Sequence, residues 1–508
     1  MTVATLSVLA TFEISAGTSP ISSFRTIQSD TLQVLTASGL LSGFVNSSAP
    51  AVRQFLGVPY ALAPIGPRRW LPAESFTSTA SILAQDVGPA CPQHPLRNDL
   101  VYSINGGNMT EFFPQEVYSE DCLTLNIWTP GNMPETNASL PVIVFFFGGR
   151  FVEGATNSLT YNPQSWIQRT QEHIVVTVSF RMNILGFPNA DGLTEQNLGL
   201  LDQRTATEWI RDNIAAFGGD PAKMVKWGES AGAIASDYLN FAYPSDPIFS
   251  GMILDSGTAM FPAEGALSSD VTHSNFTSLV KTAGCSLAAS QIDCMRGVSW
   301  QTLQGLLAMD TTMIFQPVVD DHTVFSNYSA RYGSGNVSTI PAIIGTNQHE
   351  LSATVPQRLE DPPNLSLDID SDFTFLCAAS ESSRLRENAD LTTYRYRYDG
   401  TFPNINPKQY PGAFHAAELP MVFGTAGDYH GASTPYQDAV SKKMQDLWLE
   451  FARDPEGGLK ESGWARYTDR GLVLLGGIGS AMEHMDVLEL DDGCRKATAE
   501  IIKAAEAM

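Results

Sequence analysis

The pentapeptide Gly228-Glu229-Ser230-Ala231-Gly232 constrains this chain more than any other stretch. It reads G-x-S-x-G. A short apolar run, Met224-Val225-Lys226-Trp227, precedes it, and a helix-like run from Ala231 to Phe241 follows. A serine between a strand and a helix, with small residues on both sides, fits a nucleophile elbow. The backbone of such a turn is strained and neighbouring side chains would collide there, which is the physical reason for the glycines. The turn lifts the Ser230 hydroxyl clear of the sheet, and the helix N-terminus behind it favours developing negative charge. A bare G-x-S-x-G also occurs in ordinary turns, so the rest of the chain has to decide.

The flanking pattern favours the elbow. Pro141 to Phe147 and Ile174 to Phe180 are continuous apolar runs, as expected of parallel strands buried on both faces. Further strands are expected near Thr31–Leu35, at residues 52–60, Leu123–Trp128, Gly251–Leu254, Ile340–Ile344, Tyr394–Tyr398 and Leu472–Leu475. Between Gln203 and Ile214 the spacing fits an amphipathic helix. Strands alternating with helix-length segments imply an α/β class with a doubly wound sheet.

Composition excludes some partners. The formal charge of −24 repels phosphate backbones and anionic lipid, which argues against nucleic-acid binding. No stretch reaches the ~18–20 apolar residues of a membrane span. The six cysteines include no C-x-x-C pair, so neither zinc nor another metal is expected, and no organic cofactor is implied. Seven N-x-S/T sequons, at Asn46, Asn108, Asn137, Asn275, Asn327, Asn336 and Asn364, exceed the about two or three expected by chance and point to secretion and glycosylation. Residues 1–16 are apolar enough for a signal peptide ending at Ala16, although Glu13 interrupts the run and no Lys or Arg precedes Arg25.

Two longer motifs carry a resemblance. Glu120-Asp121-Cys122-Leu123-Thr124-Leu125-Asn126-Ile127-Trp128 resembles the E-D-C-L-x-L-N strand of type-B carboxylesterases, the group that includes cholinesterases and fungal esterases and lipases. Phe217-Gly218-Gly219-Asp220-Pro221 followed by Gly228 to Gly232 resembles that family's F-G-G-D-P…G-E-S-A-G pattern. The resemblance implies an α/β-hydrolase fold: one domain over residues 17–508 with a large, mostly parallel sheet flanked by helices. It also implies a secreted serine carboxylesterase that takes a small-molecule ester.

The implied catalytic residues are Ser230, Glu350 and His415, in the chain order of α/β-hydrolases. His415 lies in Gly412-Ala413-Phe414-His415-Ala416-Ala417-Glu418, and Glu350 follows the strand ending at Ile344. The loop Phe147-Gly148-Gly149-Arg150-Phe151 resembles the family's oxyanion loop, so the amides of Gly149, Arg150 and Ala231 are the expected donors. Family disulfides would join Cys91 to Cys122, around a lid-like loop, and Cys285 to Cys294. Cys377 and Cys494 either form a third bridge or stay free. Arg69 with Glu120 and Arg181 with Asp202 match family ion pairs, and Glu229 reads as an acid behind the base.

Several features depart from the family. Arg150 stands where a glycine is usual and is expected either to pair with Glu153 or Glu229 or to meet an acidic group on the substrate. Lys226 occupies an apolar strand position and needs a partner. His415 follows Glu350 by only 65 positions (415 − 350), fewer than usual. No tryptophan lies between Cys91 and Cys122, which argues against a cholinesterase. A lipase acting on long-chain esters and a non-catalytic adhesion protein remain the alternatives.

Overall fold

The computed structural model describes residues 32–93, 117–131, 139–262, 267–270, 272–310, 312–353, 372–406 and 412–494. Its strands are β1 (Gln33–Thr36), β2 (Gly39–Ser42), β3 (Phe44–Val45), β4 (Val52–Pro59), β5 (Ser81–Leu83), β6 (Thr124–Pro130), β7 (Leu140–Phe146), β8 (Ile174–Val178), β9 (Gly219–Glu229), β10 (Gly251–Asp255), β11 (Ala342–Asn347), β12 (Thr393–Tyr398), β13 (Gly471–Leu475) and β14 (Met482–Asp486). Strands β1, β2 and β5 form a small sheet of their own. The other eleven make one sheet in the order β14-β13-β12-β11-β10-β9-β7-β8-β6-β4-β3. Its middle, from β8 to β13, is parallel throughout, and the antiparallel strands lie at the two ends.

The apolar runs explain why the middle is parallel. Residues 142–146 of β7 and every residue of β8 are fully buried, because helices cover both faces. The chain leaves β7 for β8 on one side and returns to β9 on the other. The strand order therefore reverses at β7/β9, the place where open α/β sheets leave a crevice beyond the carboxyl ends of the strands. The loop after β7 and the turn after β9 both open into it.

Helix α1 (Leu198–Asn213) precedes β9, and α2 (Ala231–Ala242) follows it; α2 is buried from Ala231 to Phe241, so its small residues suit close packing against the sheet. Helix α3 (Cys377–Asn388) and helix α4 (Leu419–Phe423) complete the surroundings of the site. Phe423 of α4 packs on Phe145 of β7 at 5.1 Å and on Trp227 of β9 at 4.8 Å, which ties the loop carrying His415 to the sheet centre.

Disulfides join Cys91 to Cys122, Cys285 to Cys294 and Cys377 to Cys494, which answers the open question about the third pair. Both expected ion pairs form: Arg69 grips Glu120 with two bonds of 2.6 Å, and Arg181 grips Asp202 at 2.8 and 2.7 Å. Asn327 and Asn336 are exposed and Asn46 and Asn275 half-buried, while the sequons at Asn108, Asn137 and Asn364 lie outside the described residues. So do residues 1–16, expected as a leader, and most of the loop expected as a lid. Among the described residues no helix is long and apolar enough to cross a membrane.

Candidate active site

Ser230 sits at the end of β9 with φ 54° and ψ −124°, outside the regions an ordinary residue prefers, at a cost of about 1–3 kcal/mol. Two hydrogen bonds hold it there. Its N–H donates to the Asp255 carbonyl at 2.8 Å, and its own carbonyl accepts from Ile234 N at 2.9 Å, which starts α2. The flanking glycines are sterically required. A Cβ on Gly232 would stand 2.0 Å from Phe146 O, and one on Gly228 would stand 2.4 Å from the Gly232 carbonyl.

The loop after β7 reaches the same place. A Cβ on Gly148 would fall 2.8 Å from Ser230 Cβ and 2.4 Å from Glu229 Oε2, so the missing side chain is the space in which the elbow sits. Gly149, Arg150 and Phe151 all have positive φ, at 109°, 57° and 64°. Their carbonyls are bonded into the protein: Val152 N and Glu153 N donate to Gly149 O, Gln316 Nε2 to Arg150 O, and Asn183 N to Phe151 O. The amides of Gly149, Arg150 and Ala231 donate to no group among the described residues. A segment with its carbonyls tied back and its amides free can receive an anionic oxygen.

His415 and Glu350 meet beside the elbow. His415 Nδ1 lies 2.6 Å from Glu350 Oε2. Glu350 is 1% exposed, and its other oxygen accepts from Ser256 Oγ at 2.6 Å and Asn347 N at 2.7 Å. Those bonds lock the carboxylate in one orientation. The other ring nitrogen, His415 Nε2, stands 3.1 Å from Glu229 Oε1, yet that oxygen has no aligned hydrogen-bond donor. Glu229 is therefore in direct contact with the imidazole, closer than an acid behind the base would be. Phe375 packs on the His415 ring at 5.0 Å and Phe261 on Phe375 at 5.0 Å, forming an aromatic wall.

Two more buried acids lie close to Glu229 and Glu350. Asp255 accepts from Trp227 Nε1 at 2.5 Å and from Tyr396 OH at 2.7 Å. Glu418 accepts from Asn347 Nδ2. Burial raises Asp255 to about 7 and lifts Glu418 above the carboxylate range. Burial likewise lifts Glu229 to about 7, with His415 opposing and Glu350 adding to the rise. For His415 burial works against the charged form, but Glu229 and Glu350 outweigh it and raise the imidazole to about 9.

The two departures resolve differently. Arg150 is exposed, and its guanidinium forms no ion pair or hydrogen bond among the described residues, so the expected pairing with Glu153 or Glu229 is not made. Glu153, pushed up to about 7 by burial with Arg150 opposing, is a poor counter-charge. Lys226 does find partners: it is 2% exposed and Nζ donates to Ser236 O at 2.7 Å, with Asp237 supplying the neighbouring negative charge.

Sequence reading missed Ser256, Asn347, Glu418, Phe261 and Phe375. Only Ser256 carries a local signal, as it follows a buried strand and precedes Gly257, whose Cβ would stand 2.4 Å from Ser230 O. No group of three or more potential metal ligands occurs among the described residues.

Comparison with known proteins fits this geometry. Residues 30–368 match the Carboxylesterase family. Chlorogenic acid esterase of Aspergillus niger is 40% identical over 471 residues, covering 89% of each chain. Secreted lipase 5 of Gibberella zeae is 40% identical over 472 residues, covering 86% of this chain and 88% of the lipase. Acylcarnitine hydrolase of Mus musculus is 28% identical over 465 residues, covering 80% of each. A strained serine beside a histidine–glutamate pair, and likeness over this much sequence, lead to one conclusion: the chain belongs to the carboxylesterase family of α/β-hydrolases and is a serine carboxylesterase, a carboxylic ester hydrolase.

Proposed function

We propose that Ser230 is the nucleophile, His415 its base and Glu350 the group that orients the base, with Gly149, Arg150 and Ala231 donating to the oxyanion. The observation that carries this reading is the 2.6 Å contact from His415 Nδ1 to Glu350 Oε2 beside a strained serine. That bond leaves Nε2 as the nitrogen that takes the Ser230 proton. Ser230 Oγ attacks the ester carbonyl, and His415 then protonates the leaving alcohol. Water, deprotonated by the same nitrogen, releases the acid from the acyl-enzyme. Each oxyanion donor is worth roughly 3–4 kcal/mol in the transition state.

Two carboxylates beside one imidazole give it a particular electrostatics. Glu350 stabilises the imidazolium that forms during each proton transfer, and Glu229 adds to that effect. The test is labelling by a fluorophosphonate followed by peptide mapping. Label on Ser230 that disappears in Ser230→Ala together with turnover supports the assignment; label elsewhere, or activity retained by Ser230→Ala, refutes it.

The aromatic wall of Phe261 and Phe375 suits an acyl group with a flat or apolar body. Chlorogenic acid, the compound in the name of the Aspergillus niger relative, belongs in the first substrate panel. The lipase reading has the Gibberella zeae relative in its favour and predicts faster hydrolysis of a long-chain ester above its solubility limit. Residues 17–508 act as one catalytic unit in this proposal, which the continuous eleven-stranded sheet supports. Secretion through a leader at residues 1–16 and glycans on the sequons are part of it too, supported by the secreted relative and by three disulfides.

A further inference from the structure

Arg150 and Phe151 are adjacent, and both adopt left-handed backbone with φ of 57° and 64°. Such strain persists only where something else compensates it. For Phe151 the compensation is inside the protein: the ring is 2% exposed and packs on Phe187 at 5.4 Å. For Arg150 only the backbone is held, by Gln316 Nε2 donating to its carbonyl at 3.1 Å. The side chain is exposed, and no ion pair or side-chain hydrogen bond engages it among the described residues. A glycine would sit at this φ without strain, yet the chain keeps a guanidinium one residue from Gly149, on the loop that borders Ser230.

The charge is also out of keeping with its surroundings. The protein carries −24, and the site itself holds Glu229, Glu350, Asp255 and Glu418. The net charge of the protein repels an anionic substrate, and an exposed guanidinium on the oxyanion loop offsets that repulsion. A planar guanidinium binds a carboxylate in two-point fashion.

We propose that Arg150 is a specificity-determining residue that binds a carboxylate borne by the substrate, so that anionic esters are the preferred class. This rests on the reading of Ser230 and its oxyanion loop given above. It is carried by the contrast between two strained residues, Phe151 with its side chain packed inside and Arg150 with a guanidinium that makes no ion pair or hydrogen bond among the described residues.

Two matched substrate pairs test it. One is the acyl ester of a hydroxy acid with its carboxamide; the other is the monoester of a dicarboxylic acid with its half-amide. The first places the carboxylate on the alcohol side, the second on the acyl side. The readout is the ratio of kcat/KM for carboxylate over carboxamide, in which any effect of residue 150 on the shared oxyanion donor cancels. Wild type should show a ratio above one in at least one pair, falling as salt is added. Arg150→Gln should lower that ratio about 10- to 100-fold, through KM, and Arg150→Lys should restore part of it. An equal ratio in wild type and Arg150→Gln, or a wild-type ratio below one in both pairs, overturns the proposal. Should the glutamine variant not fold, the wild-type ratio and its salt dependence decide alone. Failure of the Ser230 reading looks different: turnover of both pair members persists in Ser230→Ala.

Discussion

Two buried charge clusters lie along β9 and α2, and they are nearly opposite in sign. Beyond the carboxyl end of β9, one imidazole, His415, faces Glu229, Glu350 and Glu418, with Asp255 close to those carboxylates. Inside β9, Lys226 faces Asp237, with Arg386 and Arg204 adding like charge. Burial is similar in both, yet the cations move in opposite directions. Surplus acid raises His415 to about 9, whereas burial, only partly offset by Asp237, lowers Lys226 to about 7. The difference teaches that the sign of the company decides which proton moves once water is gone. It also separates chemistry from stability: the first cluster adjoins Ser230 and leaves the His415 side chain 19% exposed, and the second is enclosed by strand, helix and the Ser236 carbonyl.

Breaking the first cluster should abolish activity and leave the fold standing. Ser230→Ala is expected to cost on the order of 10⁶ in kcat, and Glu350→Gln about 10⁴, because the amide would hold the wrong tautomer of His415. Ester hydrolysis and far-ultraviolet dichroism measured together check this. A Glu350→Gln enzyme within tenfold of wild type would mean that some other group orients the ring.

Breaking the second cluster should do the reverse. Asp237→Ala strands Lys226 and is expected to cost roughly 3–5 kcal/mol of stability, whereas Lys226→Met should be neutral or stabilising and should rescue Asp237→Ala. Urea unfolding of the two single variants and the double variant measures the coupling; additive effects would show that the two residues do not interact.

Titration sharpens the contrast. A base works only when neutral, so kcat/KM should rise with pH through His415. Glu229→Gln removes a charge 3.1 Å from Nε2 and should shift that rise about one unit to lower pH. A rise that stays in place would remove Glu229 from the account. For Lys226 the folded value lies near 7 and the free one at 10.5. Between them the unfolded chain binds more protons, so stability increases with pH across that window and the penalty is full below about 7. Lys226→Met should flatten that increase.

The smallest effect belongs to the strained loop. Arg150→Gly relieves left-handed backbone and should raise stability by about 1 kcal/mol, visible as a higher melting temperature. A lower melting temperature would mean that the arginine supports the fold.

Much of the architecture could be read from the residues alone. The runs at Val142–Phe146 and Ile174–Val178 announced parallel buried strands because consecutive apolar side chains must face apolar neighbours on both sides. The elbow announced itself because a sharp strand-to-helix turn tolerates only small neighbours, a restriction written within five residues. Boundaries were less legible: β9 starts at Gly219, well before the apolar run at Met224, because the edge of a strand needs backbone pairing and no particular side chain.

The sequence by itself therefore determined the fold class, the candidate serine, histidine and glutamate, and the oddness of Arg150 and Lys226, since each is a matter of local pattern. Only the tertiary structure decided that Glu229 touches the imidazole, that Ser256 and Asn347 lock Glu350, that Phe375 covers His415, and that Lys226 Nζ has a hydrogen-bond partner while the Arg150 guanidinium makes no ion pair or hydrogen bond among the described residues. Those contacts join segments far apart in the chain, and through-space forces depend on distance and burial, which no local pattern of residues encodes.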